Sequence, residues 1–197
     1  MLAVGDSGAE ANRPHGALTE PIAAAVRCLV QNPSSVVYHD HAGSKKRRVW
    51  AHMGESLSWG SILSGVDVLL ADIETERALL VLEIEETGCP PKTLLGDILG
   101  VALSDFVTVE GGNQRFAITP DTELWVCHVA NPRGHQRARN EQVLQRLQKA
   151  WGELRPLPTI RLVAADSRDV LVKTTVAELH RRFPSDGAER RETTTAT

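Results

Sequence analysis

The stretch from Arg77 to Asp97, RALLVLEIEETGCPPKTLLGD, constrains the fold more than any other part of the chain. It opens on an apolar run, Ala78 to Leu82, too short to span a membrane and dense enough for a buried strand. Glu83 and Glu85 then interrupt the run, with Ile84 between them. Strand side chains alternate between faces, so the two acids share one face while Ile84 joins Leu80 and Leu82 on the other. Their Cα atoms are then roughly 6.5–7 Å apart. Glu86 falls near the strand's end, where exposure costs little. Two carboxylates on one face of a core strand require a cation, a hydrogen-bond network or water.

A second apolar element, Gly65 to Ala71, carries one acid, Asp67. The polar segment Asp72 to Arg77 between the two elements predicts a tight turn and an antiparallel hairpin. If the register brings Asp67 beside Glu83, three carboxylates converge, and in isolation such a cluster keeps some members protonated. A divalent cation removes the conflict. Mg²⁺ suits it, because every candidate ligand is an oxygen and Mg²⁺ binds through one or two carboxylates with waters and phosphates.

Asp67, fifteen intervening residues and then Glu83-Ile84-Glu85 resemble the D…(D/E)-x-K signature of the PD-(D/E)XK nuclease superfamily. The resemblance covers Gly65 to Asp105 and includes the helix expected after the second strand. The chain departs from the pattern at two positions: Val66 stands in place of Pro, and Glu85 in place of Lys. Some members of the superfamily carry Glu at that third position, and others move the Lys onto the following helix, where Lys92 lies. The resemblance implies a restriction-endonuclease-like α/β fold, a mixed sheet flanked by helices. It also implies a metal-dependent endonuclease of restriction or defence type, with double-stranded DNA as the partner. Asp67 and Glu83 would bind Mg²⁺, with Mn²⁺ as a substitute, and Glu85 and Lys92 would complete the catalytic set. Cutting both strands with one site per chain favours a homodimer. An acid on the first helix often supports such a metal; Glu20 and Glu55 are the candidates, although a solvated acid is the expected role of each.

At 197 residues the chain has ample length for one core. Aromatics are only 4%, so Leu, Val, Ile and Ala must fill that core. A net charge of −3 means that any nucleic-acid contact must use a local basic patch. Lys45-Lys46-Arg47-Arg48 is the densest such run, and Arg133, His135, Arg137 and Arg139 form a second. Cys28, Cys89 and Cys127 are widely spaced, which argues against a disulfide framework or zinc site and fits a reducing cytoplasm. No apolar stretch reaches membrane-spanning length. His39 and His41 read as surface histidines, and Trp50 and Trp59 as core or hairpin packing.

The remaining elements follow from periodicity and breakers. Residues 1–16 read as a flexible arm, 17–184 as one nuclease-like domain and 185–197 as a disordered tail. Helices are predicted from Thr19, over Lys92–Phe106, over Gln136–Leu154 and over Val170–Phe183. Further strands are predicted over Val36–His41, Thr122–Val129 and Thr159–Ala165, and Gly111-Gly112-Asn113 marks a turn. Gly96 and Gly100 are placed to let the second helix approach the sheet. Two other readings compete. One is a catalytically inactive nuclease-fold module for binding or assembly. The other is an unrelated α/β protein whose acids face the surface and pair with Arg77 or Lys92.

Overall fold

A computed structural model describes residues 16–30, 32–40, 48–86, 90–130, 135–151 and 158–183. Almost all of the expected arm and the whole of the tail lie outside these residues, as do His41, Cys89, Lys45 to Arg47 and Arg133. The described residues contain no helix long and apolar enough to cross a membrane. The architecture is α/β, with one mixed sheet flanked by helices. Its order is α1 (Thr19–Leu29), β1 (Ser35–His39), β2 (Val49–His52), β3 (Ile62–Val66), β4 (Val68–Asp72), β5 (Arg77–Glu85), α2 (Pro91–Ala102), β6 (Phe106–Val109), β7 (Arg115–Ala117), β8 (Glu123–Val129), α3 (His135–Trp151), β9 (Thr159–Ala165) and α4 (Arg168–Arg182).

The central strand is β5. It pairs antiparallel with β4, which pairs antiparallel with β1, and it pairs parallel with β8, which pairs parallel with β9. Both faces of β5 are covered, as the apolar run requires. Leu80, Leu82 and Ile84 join Ile22 and Val26 of α1 and Leu171 and Leu179 of α4. Val81 joins Leu94 and Ile98 of α2, with Val143 and Leu147 of α3 packed alongside. The alternation expected at Glu83-Ile84-Glu85 is therefore present. The hairpin is present too: Val68 faces Leu82, and Asp72 faces Arg77. Its turn is closed by Asp72, whose Oδ1 accepts from the N–H of Glu74 and Thr75. Those backbone donors also lower the Asp72 pKa.

Three expectations need correction. Gly65 to Ala71 is not one strand: it breaks at Asp67, where the chain leaves β3, paired with β2, and enters β4. The second helix ends at Ala102, because the Ser104 hydroxyl bonds the Gly100 carbonyl and Asp105 N–H turns to the carbonyl of His52. Phe106, with the β-branched residues that follow it, then belongs to β6. Glu86 is buried, accepting from Leu18 N–H at 2.8 Å and pairing with Arg168 at 3.5 Å.

Strands β3, β2, β6 and β7 form an antiparallel ribbon that the sequence reading did not contain. The ribbon joins the central sheet covalently at Asp67 and by one parallel pair, Arg77 with Ala117. The tight turn at Gly111 is present, with φ +78°. Of the two helix glycines, only Gly100 makes the expected close approach: a Cβ there would stand 2.7 Å from Ser64 Cβ, whereas one on Gly96 meets nothing within 4 Å. Gly100→Ala should therefore destabilise the fold by about 1–3 kcal/mol through overpacking. Gly96→Ala should stabilise it by up to about 1 kcal/mol through helix propensity. Urea denaturation of the two variants measures the contrast.

Candidate functional site

Asp67 sits at the corner between β3 and β4. Its carbonyl accepts from Asp40 N–H at 3.0 Å, and its Oδ2 accepts from Ile84 N–H at 2.7 Å. The carboxylate thus takes a strand donor just past the point where β4 stops pairing, since Val68 with Leu82 is the last backbone pair. This places Asp67 near Glu83 and Glu85, the convergence that the hairpin register made conditional, although from a corner and not from within a strand. Glu83 is only 7% exposed, and its Oε1 is enclosed with no hydrogen-bond partner.

A fourth carboxylate, Asp97, comes from α2. The helix buries Leu94, Ile98, Val101 and Ala102, and Asp97 lies on the margin of that face with Oδ2 enclosed and unpaired. Burial first, then the charges of Asp67, Asp97 and Glu85, raise the Glu83 pKa well above the carboxylate range. Burial, then Glu85 and Asp67, push Asp97 up to about 7. Ser64 of β3 hydrogen-bonds Glu83 and also donates to the Gly65 carbonyl at 2.8 Å. One hydroxyl proton cannot serve both. The Ser64 hydroxyl acts on Glu83 in the lowering direction and is outweighed by burial and the neighbouring acids.

His128 completes the constellation. It is the register partner of Glu85 on the parallel strand β8, so the two side chains share a face about 4.8 Å apart. His128 is buried, and it also lines a cleft of about 340 Å³ between α3 and β9, with Glu141, Gln145 and Gln148. An apolar cavity of about 250 Å³, lined by Val26, Leu29, Leu179 and Phe183, lies on the other face of the sheet, away from the acids.

Lys92 is not brought into the cluster. It is exposed in the first turn of α2, about 200° around the helix from Leu94. Glu20 lies on the α1 side of the sheet, 3.3 Å from Arg27 and 3.4 Å from His39, and Glu55 is exposed in a loop. Asp97 and His128 escaped the sequence reading. The signal for each was a single polar residue on an otherwise apolar face: Asp97 between Leu94 and Ile98, and His128 in the series Leu124, Val126, His128.

No family model, no curated protein and no solved structure matches this chain. The reading of the site therefore rests on its chemistry. Two other buried carboxylates supply the contrast. Glu123 accepts from Trp125 Nε1 at 2.7 Å and pairs with Arg161 and Arg182, and Glu86 has Arg168. Glu83 is instead surrounded by acids. Among the described residues no three His, Cys, Asp or Glu side chains already form a metal-holding group. The all-oxygen donors and two enclosed, unpaired carboxylate oxygens nevertheless suit Mg²⁺, which needs only one or two protein carboxylates.

The acid cluster has a pH signature. Glu83 and Asp97 hold protons more tightly in the folded state, so their contribution to stability is present at low pH and lost as pH rises. For Asp97 the window runs from 3.8 to about 7. Asp97→Asn should raise stability by about 1–2 kcal/mol at about pH 8, a figure discounted for partial exposure. The gain should vanish towards pH 4. Thermal melts of wild type and variant across this range test the sign.

Proposed function

We propose that this chain is a metal-dependent phosphodiesterase acting on nucleic acid, an endonuclease whose site is Asp67, Glu83, Glu85 and Asp97. The observation that supports it is Glu83: a buried carboxylate with an unpaired oxygen, set among three further acids rather than beside an arginine. Such an arrangement costs stability in the protein alone and is offset by a bound cation. Asp67 and Glu83 would hold Mg²⁺, with Asp97 in support. When bound, the metal supplies a Lewis acid for the scissile phosphate and lowers the pKa of a coordinated water. Glu85, less buried than Glu83 and next to His128, is placed to accept a proton from the attacking water. Lys92 has no part in this version of the site.

The reading keeps the resemblance to PD-(D/E)XK nucleases as a proposal, with Glu85 as the third motif residue. Double-stranded DNA cleavage by a homodimer and a cytoplasmic location belong to the same proposal. A second reading is favoured by the position of Lys92 and, among the described residues, the lack of a ready three-ligand group: an inactive nuclease-fold binding module.

Incubation with plasmid, single-stranded DNA and RNA in Mg²⁺ or EDTA separates the two. Cleavage should require the metal and fall more than about a hundredfold in Glu83→Gln, a larger loss than outer-sphere changes usually cause. Asp67→Asn is a better variant than Asp67→Ala, because Asn still accepts from Ile84 N–H whereas Ala leaves that donor unpaired at a cost of about 1–3 kcal/mol. Mg²⁺ should raise the melting temperature at about pH 8 in wild type and not in Glu83→Gln. No metal-dependent cleavage and no metal stabilisation would leave the inactive module as the answer.

A further inference from the structure

The outer face of the ribbon gathers aromatic rings and arginines. Strand register places Gly65, Trp50, Thr108 and Arg115 in one transverse row across β3, β2, β6 and β7. On this face Trp50 lies against Gly65, where an added Cβ would be 3.6 Å from its ring. Ser64, between the outward residues Leu63 and Gly65, points the other way, to Glu83. The ribbon therefore has one side facing the acid cluster and one side bearing rings and cations.

The outward side is built from rigid parts. His52 is fixed by Ser61 Oγ at 3.0 Å and Thr108 Oγ1 at 2.9 Å, and it stacks on Phe106 with centroids 5.2 Å apart. The one Ser61 hydroxyl proton goes to the carbonyl of Ser56 or of Ser58, each 2.7 Å away, so Oγ accepts from His52 Nδ1–H, and Nε2 accepts from Thr108. Burial and the nearby Arg115 hold the His52 pKa down, and this pair of hydrogen bonds fits a neutral ring. The Arg115 guanidinium stands 4.7 Å from the Phe106 centroid, and that of Arg48 stands 5.9 Å from Trp50. Above this floor sits Trp59, edge-on to Trp50 at 5.7 Å.

Trp59 is 78% exposed, so packing within the hairpin accounts for little of its surface. Met53, Leu57 and Leu63 are also exposed along the same loop and edge strand. A large ring left in water beside Trp50, on a face that also carries Arg48 over Trp50 and Arg115 over Phe106, has the chemistry of a base-stacking platform. Of the bordering acids, Asp105 is engaged by Gly54 N–H at 2.6 Å. Bases in a duplex are already stacked on one another and offer no free face, which selects an unpaired strand.

We propose that this face binds single-stranded nucleic acid, with an unpaired base stacked on Trp59 and phosphates held by Arg48 and Arg115. The inference rests on the nucleic-acid reading above but replaces the duplex with an unpaired strand as the form bound at this face, and it does not require cleavage. The test is binding of a fluorescent oligothymidylate in EDTA, where cutting is suppressed. Wild type should bind it more tightly than the corresponding duplex. Trp59→Ala should weaken binding about tenfold, as loss of one stacked base does, and Trp59→Phe should restore most of it. Arg48→Ser and Arg115→Ser should each weaken binding and flatten its salt dependence. Unchanged binding by Trp59→Ala, preference for duplex, or no binding by wild type would overturn the proposal. So would a shift by Trp59→Ala from dimer to monomer in sedimentation with binding intact, which would assign the face to a second copy of the chain. Binding without Mg²⁺-dependent cleavage would refute the catalytic reading and leave this one standing. Cleavage with Trp59 dispensable for binding would do the reverse.

Discussion

The hydrogen bond from Ile84 N–H to Asp67 Oδ2 holds two structures together. On one side is β5, buried on both faces and paired on both edges. On the other is a corner at which the chain changes from the ribbon to the central sheet. A backbone donor buried at such a corner must be satisfied, and here a side chain does what a strand neighbour would otherwise do. The same carboxylate then contributes to the field on Glu83 and Asp97. Removing Asp67 would therefore disturb sheet geometry and site charge together, and only an isosteric change keeps the two effects apart.

The electrostatics of the molecule divide into two kinds of buried acid. Glu123 and Glu86 sit near arginines, and each also takes a hydrogen bond from an N–H group. Such pairs fix the start of β8 and the entry to α1, and their desolvation is partly repaid by local contacts. The cluster around Glu83 lacks this balance. Clustered acids in a low-dielectric surrounding raise one another's proton affinity, so the protein without a cation is expected to carry extra protons there at neutral pH. The site is a place where stability has been given up, which is common at functional centres.

Much of this was legible in the sequence. The β4–β5 hairpin, the shared face of Glu83 and Glu85, and the strands β8 and β9 follow from alternation and breakers, because both faces of a core strand must be apolar or explained. The ribbon was not legible. Its strands are three to five residues long, too short for periodicity to register, and β6 abuts a helix with which its Phe106 shares an apolar pattern. Asp97 was hidden for a related reason. The helix is rotated so that Leu94, Ile98, Val101 and Ala102 are buried, with Leu95 and Leu99 only partly so. That rotation brings an acid towards the sheet. Lys92, judged by its distance along the chain, lies on the solvent side once the helix phase is known. Trp59 was expected to pack and is mostly exposed, since local spacing says nothing of what lies above a loop.

The tie between Ser64 and Glu83 has a further consequence. Ser64 belongs to the ribbon, Glu83 to the central sheet, and Gly100 of α2 is pressed against Ser64 from the third side. Any tilt of the ribbon relative to β5 would change how closely the Ser64 hydroxyl meets Glu83. It therefore changes the proton affinity of that acid. Linkage makes the effect mutual: whatever titrates or neutralises Glu83 also biases the tilt of the ribbon, and with it the angle at which the tryptophan face is presented.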